Sequence, residues 1–276
     1  MPNPDLVYDV GLHNGDDSAY YLALGYRVIA IEADPTLVER ARERLKVPIV
    51  QDQLQIGNVG IADREGTLPF WICEGKTEWS SFDKASATRR GRRCHSVDVN
   101  CVPFAKILRE FGVPHYLKID IEGYDRSCLD GLDRNDLPNF ISLELTDPGV
   151  FAHLRDIGYS RFKIIIQNNH AAIRRVTRHW THALTRRLPL YWRSFRYRLG
   201  LPVATRSLRL PPDAPEYPGM KWKFPYGSSG PFGESTDGDW STLEEITALY
   251  DEFRAGRLEY GDPGSLIWHD VHAKRG

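Results

Sequence analysis

A regular alternation of strand and helix patterns over the first half of this 276-residue chain constrains its fold more than any other feature. Short apolar runs predict buried strands, and apolar residues at helical spacing predict the helices between them. The first four segments are LVYDV (6–10), AYYLALG (19–25), YRVIAIE (26–32) and DPTLVERARERL (34–45). Strands that alternate with helices form parallel sheets with helices on both faces. The sequence therefore predicts an α/β fold.

The same alternation continues along the chain. Further strands are predicted at 48–56, 67–73, 115–123, 139–145, 161–167 and 265–273, and further helices at 102–112, 149–158 and 241–256. Asp34 and Pro35 form a good helix start, and Ser241 with Glu244 three residues later forms a capping pair. Ligands of such sheets bind beyond the carboxyl ends of the strands, near the point where the strand order reverses. We therefore expect the functional residues at that edge.

The stretch YDVGLHNGDDSAYY (8–21) indicates a strand, a glycine turn and a helix. Gly11 and Gly15 let the backbone bend sharply and approach a ligand closely. Their spacing differs from that of dinucleotide sites, and Asp16 and Asp17 in the first helical turn would repel a phosphate. A cationic ligand without phosphate, such as S-adenosylmethionine, fits this turn better. The same observations argue against a nicotinamide dehydrogenase.

Carboxylates also follow the next strands. Glu32 ends the second strand, where a carboxylate can accept hydrogen bonds from both hydroxyls of a ribose. Lys118, Asp120 and Glu122 alternate in LKIDIEGYD, so extended backbone would direct them to one face. One of the two carboxylates could then act as a general base, or Lys118 could neutralise one while the other caps the next helix. A metal pair fits less well, because no His or third carboxylate joins them at ligand spacing.

Charge and cysteine usage exclude other classes of protein. The net charge of −1 predicts no chain-wide attraction to nucleic acid or to a membrane. The four cysteines show no metal-type spacing and predict reduced thiols. No signal-type N-terminal segment and no run of about 18 apolar residues is present, so we expect a cytoplasmic protein.

One segment departs from this balance. Residues 157–212 contain Lys163 and eleven arginines but no acidic residue. Three interpretations stay open for residues 168–210. They could form a solvated helical face that packs on the sheet, or a surface that recruits an anionic acceptor or the inner face of a membrane through residues 170–200. They could also form an RNA-binding surface with stacking aromatic residues. Our main expectation is that the protein has no nucleic-acid partner. The alternative function is that of a protein that binds RNA or an anionic surface through this segment, on a Rossmann-like scaffold.

Several of these segments together resemble the FkbM family of class I S-adenosylmethionine-dependent methyltransferases. The resemblance extends from about Val7 to Leu145. The segments that carry it are DVGLHNG, VIAIEADP, NVGIADREGTLPFW, WSSF and, most specifically, LKIDIEG followed by ISLEL. It implies a Rossmann-like, seven-stranded, mostly parallel sheet in a single methyltransferase domain over residues 1–276. Residues 168–264 would be a basic and Gly/Pro-rich insertion or cap between the last two strands.

The resemblance also implies roles for individual residues. S-adenosylmethionine would be the cofactor, bound by Asp9, Gly11, His13, Asn14, Gly15, Glu32, Asn58, Val59 and Asp120. Glu32 would bind the ribose, Asn58 and Val59 would lie against the adenine, and Asp120 would lie beside the methyl group and the acceptor. Many members have Ala-Asn and an apolar residue between the two glycines, whereas this chain has Leu12, His13 and Asn14.

The implied activity is O-methylation of a hydroxyl of a sugar, a glycan or a secondary metabolite. The residues themselves indicate no metal site. An alcohol is a poor nucleophile at neutral pH, so a base should remove its proton. Asp120, Glu122 and His13 are the catalytic candidates, and Glu144 is a further candidate base.

Overall fold

The computed structural model describes residues 1–88, 91–167, 169–174, 207–209, 221–225, 228–255 and 268–276. The described residues form two compact units. Unit 1 comprises Met1–Asn139, and unit 2 comprises the described residues from Phe140 onwards. Each unit has its own strands and helices.

Unit 1 contains the glycine turn and the first two predicted strand–helix pairs, at residues 6–25 and 26–45. Its strands are β1 (Asn3–Val10), β2 (Arg27–Glu32), β3 (Leu54–Asn58), β4 (Gly60–Ile61), β5 (Gly66–Cys73), β6 (Cys94–Val102) and β7 (Pro114–Ile119). Its helices are α1 (Asp16–Ala23), α2 (Pro35–Arg44), α3 (Lys46–Val50), α4 (Lys84–Thr88), α5 (Phe104–Phe111) and α6 (Asp125–Asp130), with a 3-10 turn at Thr77–Trp79.

Four strands of unit 1 pair in the order β7-β1-β2-β3, and all four are parallel. The chain passes from β1 through α1 to β2 and through α2 to β3, and it later returns to the other side of β1 as β7. The strand order therefore reverses at β1: β2 and β3 lie on one side of it, and β7 lies on the other. Asp9 on β1 is the register partner of Lys118 on β7, which brings the two motifs together at this reversal.

A second sheet of unit 1 has the order β4-β6-β5. β5 confirms the strand predicted at 67–73, whereas β6 (94–102) was not predicted. Most β6 side chains are partly or fully exposed, so this strand has no continuous apolar run. The segment at residues 77–82, which includes WSSF, lies in the connection from β5 to β6.

Unit 2 contains the remaining strands and helices. They are β8 (Phe140–Glu144), α7 (Gly149–Ile157), β9 (Arg161–Ile166), β10 (Ala171–Ala172), β11 (Ser207–Arg209), β12 (Lys221–Lys223), a 3-10 turn (Gly233–Ser235), α8 (Leu243–Arg254) and β13 (His269–Lys274). Four of its strands pair in the order β10-β9-β13-β8, in which β13 is antiparallel to both neighbours, and β11 pairs separately with β12. Phe151 of α7 packs edge-on against Phe162 of β9 and Tyr250 of α8.

The expected Rossmann-like α/β fold is confirmed, with several local corrections. Within the described residues, the two strand orders given above contain four strands in unit 1 and four in unit 2, whereas the resemblance implied seven in all; β10 was not expected. Residues 48–56 do not form one strand, since α3 precedes β3. The last helix is capped one residue later than predicted: Thr242 and Glu245 form the capping box. The cap predicted at Asp34 is confirmed, because its carboxylate accepts from the main-chain N–H groups of Thr36 and Leu37.

The insertion or cap predicted at 168–264 stays a prediction, because much of it lies outside the described residues. The solvated helical face predicted in the basic segment and residues 256–267 before β13 also lie mostly or wholly outside the described residues. No helix within the described part of the chain is long and apolar enough to cross a membrane.

Replacement of Gly11 by Ala should destabilise the protein by more than the cost of placing an Ala in left-handed backbone. Gly11 has a φ of +89°, and a Cβ built there would overlap the carbonyl oxygen of Asp120. Left-handed backbone costs an Ala about 1–2 kcal/mol, and overpacking adds about 1–3 kcal/mol. We expect a loss of about 3 kcal/mol or more in urea denaturation.

Gly123→Ala is the matched control, because Gly123 has the same φ of +89° but no atom within 4 Å of the added Cβ. It should cost only about 1–2 kcal/mol. Equal losses in the two variants would show that the close approach of Gly11 to Asp120 is unimportant.

Candidate functional site

The glycine turn after β1 is held by main-chain contacts. The N–H groups of Gly11 and Leu12 both donate to the carbonyl of Ile31 at the end of β2, at 2.9 and 3.0 Å. Gly15 closes the turn by donating to Leu12 at 2.9 Å and is left-handed, with a φ of 79°. α1 begins at the next residue. The turn is therefore anchored to the carboxyl end of β2 as well as to β1.

Lys118 lies at the centre of the candidate site. Its side chain is 3% exposed, and its Nζ donates to Asp9 Oδ1 at 2.9 Å and to the carbonyl of Gly11 at 2.7 Å. Asp9 is fully buried and also accepts from Ser18 Oγ of α1 at 2.7 Å. This ion pair thus joins β7, β1, the glycine turn and the first turn of α1.

Two further carboxylates surround the same ammonium. Lys118 Nζ lies 4.0 Å from Asp17 Oδ2 and 3.9 Å from Asp120 Oδ2. Burial alone lowers the pKa of Lys118, but Asp9, Asp120 and Asp17 together outweigh burial and raise that pKa above its ordinary value. Lys118 therefore stays protonated, and one positive charge stands against three acidic side chains.

The other acid of the turn is engaged elsewhere. Asp16 forms an ion pair with Arg44 of α2 at 2.6 Å. Asn14 is exposed, and its Oδ1 accepts from the N–H of Asp16 while its carbonyl accepts from Arg44. Of the two acids in the first helical turn, Asp16 is thus paired with a cation on the neighbouring helix, and Asp17 lies near Lys118. Asn14 shapes the turn through its own side chain.

Glu32 ends β2 beneath the turn, as predicted from its position. Its Oε2 accepts from the main-chain N–H of His13 at 2.7 Å, and its Oε1 accepts from that of Asp34 at 2.9 Å. Burial raises the pKa of Glu32 to about 7, although these two N–H groups act in the opposite direction. Each carboxylate oxygen has two acceptor positions, so each has one left beyond its main-chain contact.

Asn58 and Val59 follow β3 beside Glu32. Asn58 is the register partner of Glu32, and its Nδ2 donates to the carbonyls of Glu32 and Ala33 at 3.0 and 3.1 Å. The N–H of Val59 donates to the carbonyl of Glu32 at 3.1 Å. The structure therefore brings these two residues next to Glu32 and uses the amide of Asn58 to hold the end of β2.

His13 has a left-handed backbone with a φ of 50°. Its ring Nε2 forms a 2.9 Å hydrogen bond with Thr77 Oγ1, and its main-chain N–H contacts Glu32. Burial lowers the pKa of His13 and Glu78 partly opposes it, so the imidazole is neutral at neutral pH. His13 is therefore fixed through both its backbone and its ring.

Asp120 and Glu122 leave the strand at different points. β7 ends at Ile119, and the N–H of Asp120 still donates to Val10 of β1 at 2.8 Å. The side chain of Asp120 is 36% exposed. Glu122 has a φ of 23° and lies in a turn, so the period-two argument that aligned it with Lys118 and Asp120 does not apply. Its carbonyl accepts from Ser81 Oγ at 2.9 Å.

Neither Asp120 nor Glu122 caps α6, because its N-cap residue is Tyr124 and no side chain makes a cap bond there. Asp125, in the first turn of α6, contacts the loop before the helix instead. Its Oδ1 accepts from the main-chain N–H of Ile121 at 3.1 Å. Burial raises the pKa of Asp125 to about 6, and Asp120 adds to this effect. The loop after β7 is thus closed by Asp125.

Sequence reasoning missed the contribution of residues 77–82. Thr77 contacts the ring of His13, and Ser81 contacts the loop of Glu122, so this segment supports both. Phe82 adds an aromatic contact with Tyr124, with ring centroids 5.4 Å apart. The WSSF motif was the only sequence signal for the importance of this segment, and it did not indicate which loop the segment contacts.

The remaining candidates belong to unit 2. Glu144 is the last residue of β8 and the register partner of Asp270 on β13. Two of the basic residues are engaged inside the unit: Lys163 is buried over the ring of Trp240, and Arg174 pairs with Asp237 at 2.5 Å. Most of the basic segment, including 175–200, lies outside the described residues. Within the described residues, no group of three His, Cys, Asp or Glu side chains could hold a metal ion.

The comparisons with known proteins point to one family. The family model described as "Methyltransferase FkbM domain" matches residues 9–178, more than half of the chain. A search of curated proteins found no match.

Solved structures with a similar fold share little sequence with the chain. A precorrin-6y C5,15-methyltransferase from Geobacter metallireducens GS-15 is 15% identical, with 61% of this chain and 72% of that chain covered and a TM-score of 0.34. A spermidine synthase from Thermotoga maritima is 14% identical, with 59% of this chain and 48% of that chain covered and a TM-score of 0.33. The chain therefore spans about half the length of that synthase. The glycopeptide N-methyltransferase MtfA in complex with S-adenosylmethionine is 11% identical, with 100% of this chain and 89% of that chain covered and a TM-score of 0.32. The family match alone carries the assignment.

Replacement of Lys118 by Met should strongly destabilise the protein, because Asp9 would be left buried without a counter-charge. We expect a loss of about 3–5 kcal/mol in the free energy of unfolding. Lys106→Met is the matched control: Lys106 pairs with Glu65 at a similar 3.0 Å, but on the surface. It should cost less than about 1 kcal/mol in urea denaturation.

A double variant tests the reason for this loss. Lys118→Met with Asp9→Asn removes the unpaired charge, so it should be at least about 1 kcal/mol more stable than Lys118→Met alone. A double variant that is less stable than Lys118→Met would contradict the charge argument.

Proposed function

Because the chain belongs to the FkbM methyltransferase domain family, we propose that it transfers a methyl group from S-adenosylmethionine to a hydroxyl group. We propose a sugar, a glycan or a secondary metabolite as the acceptor. The observation that supports this cofactor best is the excess of acidic side chains around Lys118, beside the glycine turn.

The charge of the site fits a cationic ligand. Asp9, Asp17 and Asp120 face a single ammonium, and Asp17 also lies in the first turn of α1. A phosphate normally binds well at a helix N-terminus. Here the acidic side chains would repel it. S-adenosylmethionine carries a sulfonium and an ammonium and no phosphate, so its methionine part would lie beside Gly11, Asp9 and Asp120.

The nucleoside part of the cofactor would bind at the end of β2. Glu32 has two acceptor positions beyond its main-chain contacts, which match the two donors of a ribose diol. Asn58 uses its amide nitrogen on main-chain carbonyls, so its Oδ1 would accept from the adenine amino group. Val59 would supply an apolar contact for the ring.

We propose Asp120 as the general base. S-adenosylmethionine supplies a methyl group made electrophilic by its sulfonium sulfur. Asp120 would accept the proton of the acceptor hydroxyl, which must be held about 3 Å from the methyl carbon. Its carboxylate is partly exposed and lies 3.9 Å from the ammonium of Lys118.

Glu122 and His13 are the other candidates for the base. His13 is neutral, as a base must be, but its Nε2 is bound to Thr77. Glu122 belongs to the turn that Ser81 holds. We assign these two residues to positioning the turn and the loop after β7.

The basic segment of residues 157–212 supports an anionic acceptor, such as a phosphate-linked or acidic glycan, or contact with an anionic membrane face through 170–200. Cytoplasmic localisation fits this proposal. RNA binding by the same segment is the second candidate function, favoured by its eleven arginines and interleaved aromatic residues. Loss of transfer at high salt would support a charged partner.

Binding of S-adenosylhomocysteine tests the proposal. Calorimetry should show micromolar affinity in the wild type and no binding in Glu32→Ala, because the ribose loses its acceptors. Glu39→Ala is the control, since Glu39 is an exposed residue of α2 that pairs with Arg42. No binding to the wild type would overturn the assignment of the cofactor.

The pH course of the same titration gives a second readout. With a pKa of about 7 for Glu32, the carboxylate becomes protonated as the pH falls through 7 and loses acceptor positions. Affinity should therefore be highest above pH 7 and about tenfold weaker at pH 6 than at pH 8. Glu32→Gln should lack this dependence, and an equal dependence in both proteins would assign it to another group.

Asp120→Asn should lower the transfer of tritiated methyl groups into extracts of the source organism by about 100-fold or more, because the base is lost. Its affinity for S-adenosylhomocysteine should fall much less than its turnover, because Asp9 and Asp17 still face the cationic group of the ligand. His13→Asn and the exposed control Asp98→Asn should retain both properties. Wild-type turnover in Asp120→Asn would exclude Asp120, and loss only in His13→Asn would assign the base to His13.

A further inference from the structure

The strands β5 and β6 bring two of the four cysteines together. Cys73, the last residue of β5, is the register partner of Cys94, the first residue of β6. Their Sγ atoms are 3.0 Å apart, and neither sulfur is in a disulfide. An S–S bond is about 2.05 Å long, so the two sulfurs need to approach by only about 1 Å.

The backbone at this position suits a cross-link. Cys73 donates its N–H to Ser80 Oγ at 3.1 Å rather than to β6, whereas the next residue, Glu74, donates to the carbonyl of Arg93. Pairs alternate along antiparallel strands, so Cys73 and Cys94 form a non-hydrogen-bonded pair. The Cα atoms of such pairs are about 4.5 Å apart, which is within the range of about 4.4–6.8 Å found for disulfides.

The two thiols differ in their access to solvent. Cys73 is completely buried, whereas Cys94 is partly exposed. An oxidant from solvent would therefore meet Cys94 first, and Cys73 lies where it can react with the oxidised sulfur. The other two cysteines, Cys101 and Cys128, are buried, and burial raises the pKa of both thiols, which disfavours the reactive thiolate.

We propose that Cys73 and Cys94 form a modification site at which hydrogen peroxide, or another hydroperoxide, produces a reversible disulfide. The Cys94 thiolate attacks the peroxide, the O–O bond breaks, and a sulfenic acid and hydroxide form. The Cys73 sulfur then attacks the Cys94 sulfur, an S–S bond forms, and the hydroxyl leaves as water with the proton of Cys73. The two thiols lose two electrons in total, and hydrogen peroxide is reduced to two waters.

The cross-link would act on the candidate cofactor site through residues 77–88. The Sγ atoms of Cys73 and Cys94 lie 3.1 and 3.5 Å from the carbonyl of Ala87 at the end of α4, and that of Cys73 lies 3.5 Å from the carbonyl of Trp79. Each thiol has one hydrogen to donate to these carbonyls. A disulfide has no S–H group, so it can donate to none of them. The same segment supplies Thr77 to His13 and Ser81 to the loop of Glu122. Oxidation therefore weakens cofactor binding; this second part rests on the proposed function.

Peptide mapping of the full-length protein tests the disulfide itself. Reduced protein is treated with a small excess of hydrogen peroxide, free thiols are blocked, and peptides are analysed before and after reduction. The expected product is a Cys73–Cys94 cross-link that dithiothreitol reverses, while Cys101 and Cys128 stay alkylated. Cys94 found as a sulfinic acid, or joined to another copy of the chain, with Cys73 still a thiol, would overturn the proposal.

Cys94→Ser is the matched variant, because it keeps a hydroxyl donor near Ala87 but cannot cross-link. Oxidation should weaken the affinity of the wild type for S-adenosylhomocysteine about fivefold or more and leave that of Cys94→Ser unchanged. Equal affinities of the oxidised and reduced wild type would overturn the link to the cofactor site. Absence of binding in every state would instead refute the proposed function, while peptide mapping still decides the disulfide.

Discussion

The buried ammonium of Lys118 is the interaction on which the rest of the candidate site depends. It joins Asp9 at the end of β1 to the carbonyl of Gly11 in the following turn. Removal of an ammonium from water costs several kcal/mol, and only close, hydrogen-bonded acceptors offset that cost. The conformation of the turn and the stability of the paired strands therefore rest on the same contacts.

The same arrangement links stability to the proposed chemistry. One carboxylate would neutralise Lys118, but Asp17 and Asp120 lie near it as well. The excess of negative charge is unfavourable in the unliganded protein and favours a cation beside the turn. A substitution that neutralises Asp17 or Asp120 would relieve this repulsion and weaken the same attraction. This is the trade-off expected where a binding site stores unfavourable charge.

Much of the fold was predictable because it follows from local patterns. Alternating apolar runs, Asp34 before Pro35 and the glycine turn predicted β1, α1, β2 and α2 with their connections, and Glu32 was correctly expected at the end of β2. The errors arose where local signals were weak or ambiguous. β6 is too exposed to have an apolar run, and Glu122 was treated as extended although the strand ends at Ile119.

The sequence by itself determined the class of fold, the family and the residues that follow each parallel strand, because periodicity and turn residues act over a few positions. Only the tertiary structure decided which charges meet. Lys118 meets Asp9 from a distant part of the chain, Asp16 is paired with Arg44, and Thr77 supports His13. These contacts join segments far apart in sequence, and no local pattern records which ones become neighbours once the strands are paired.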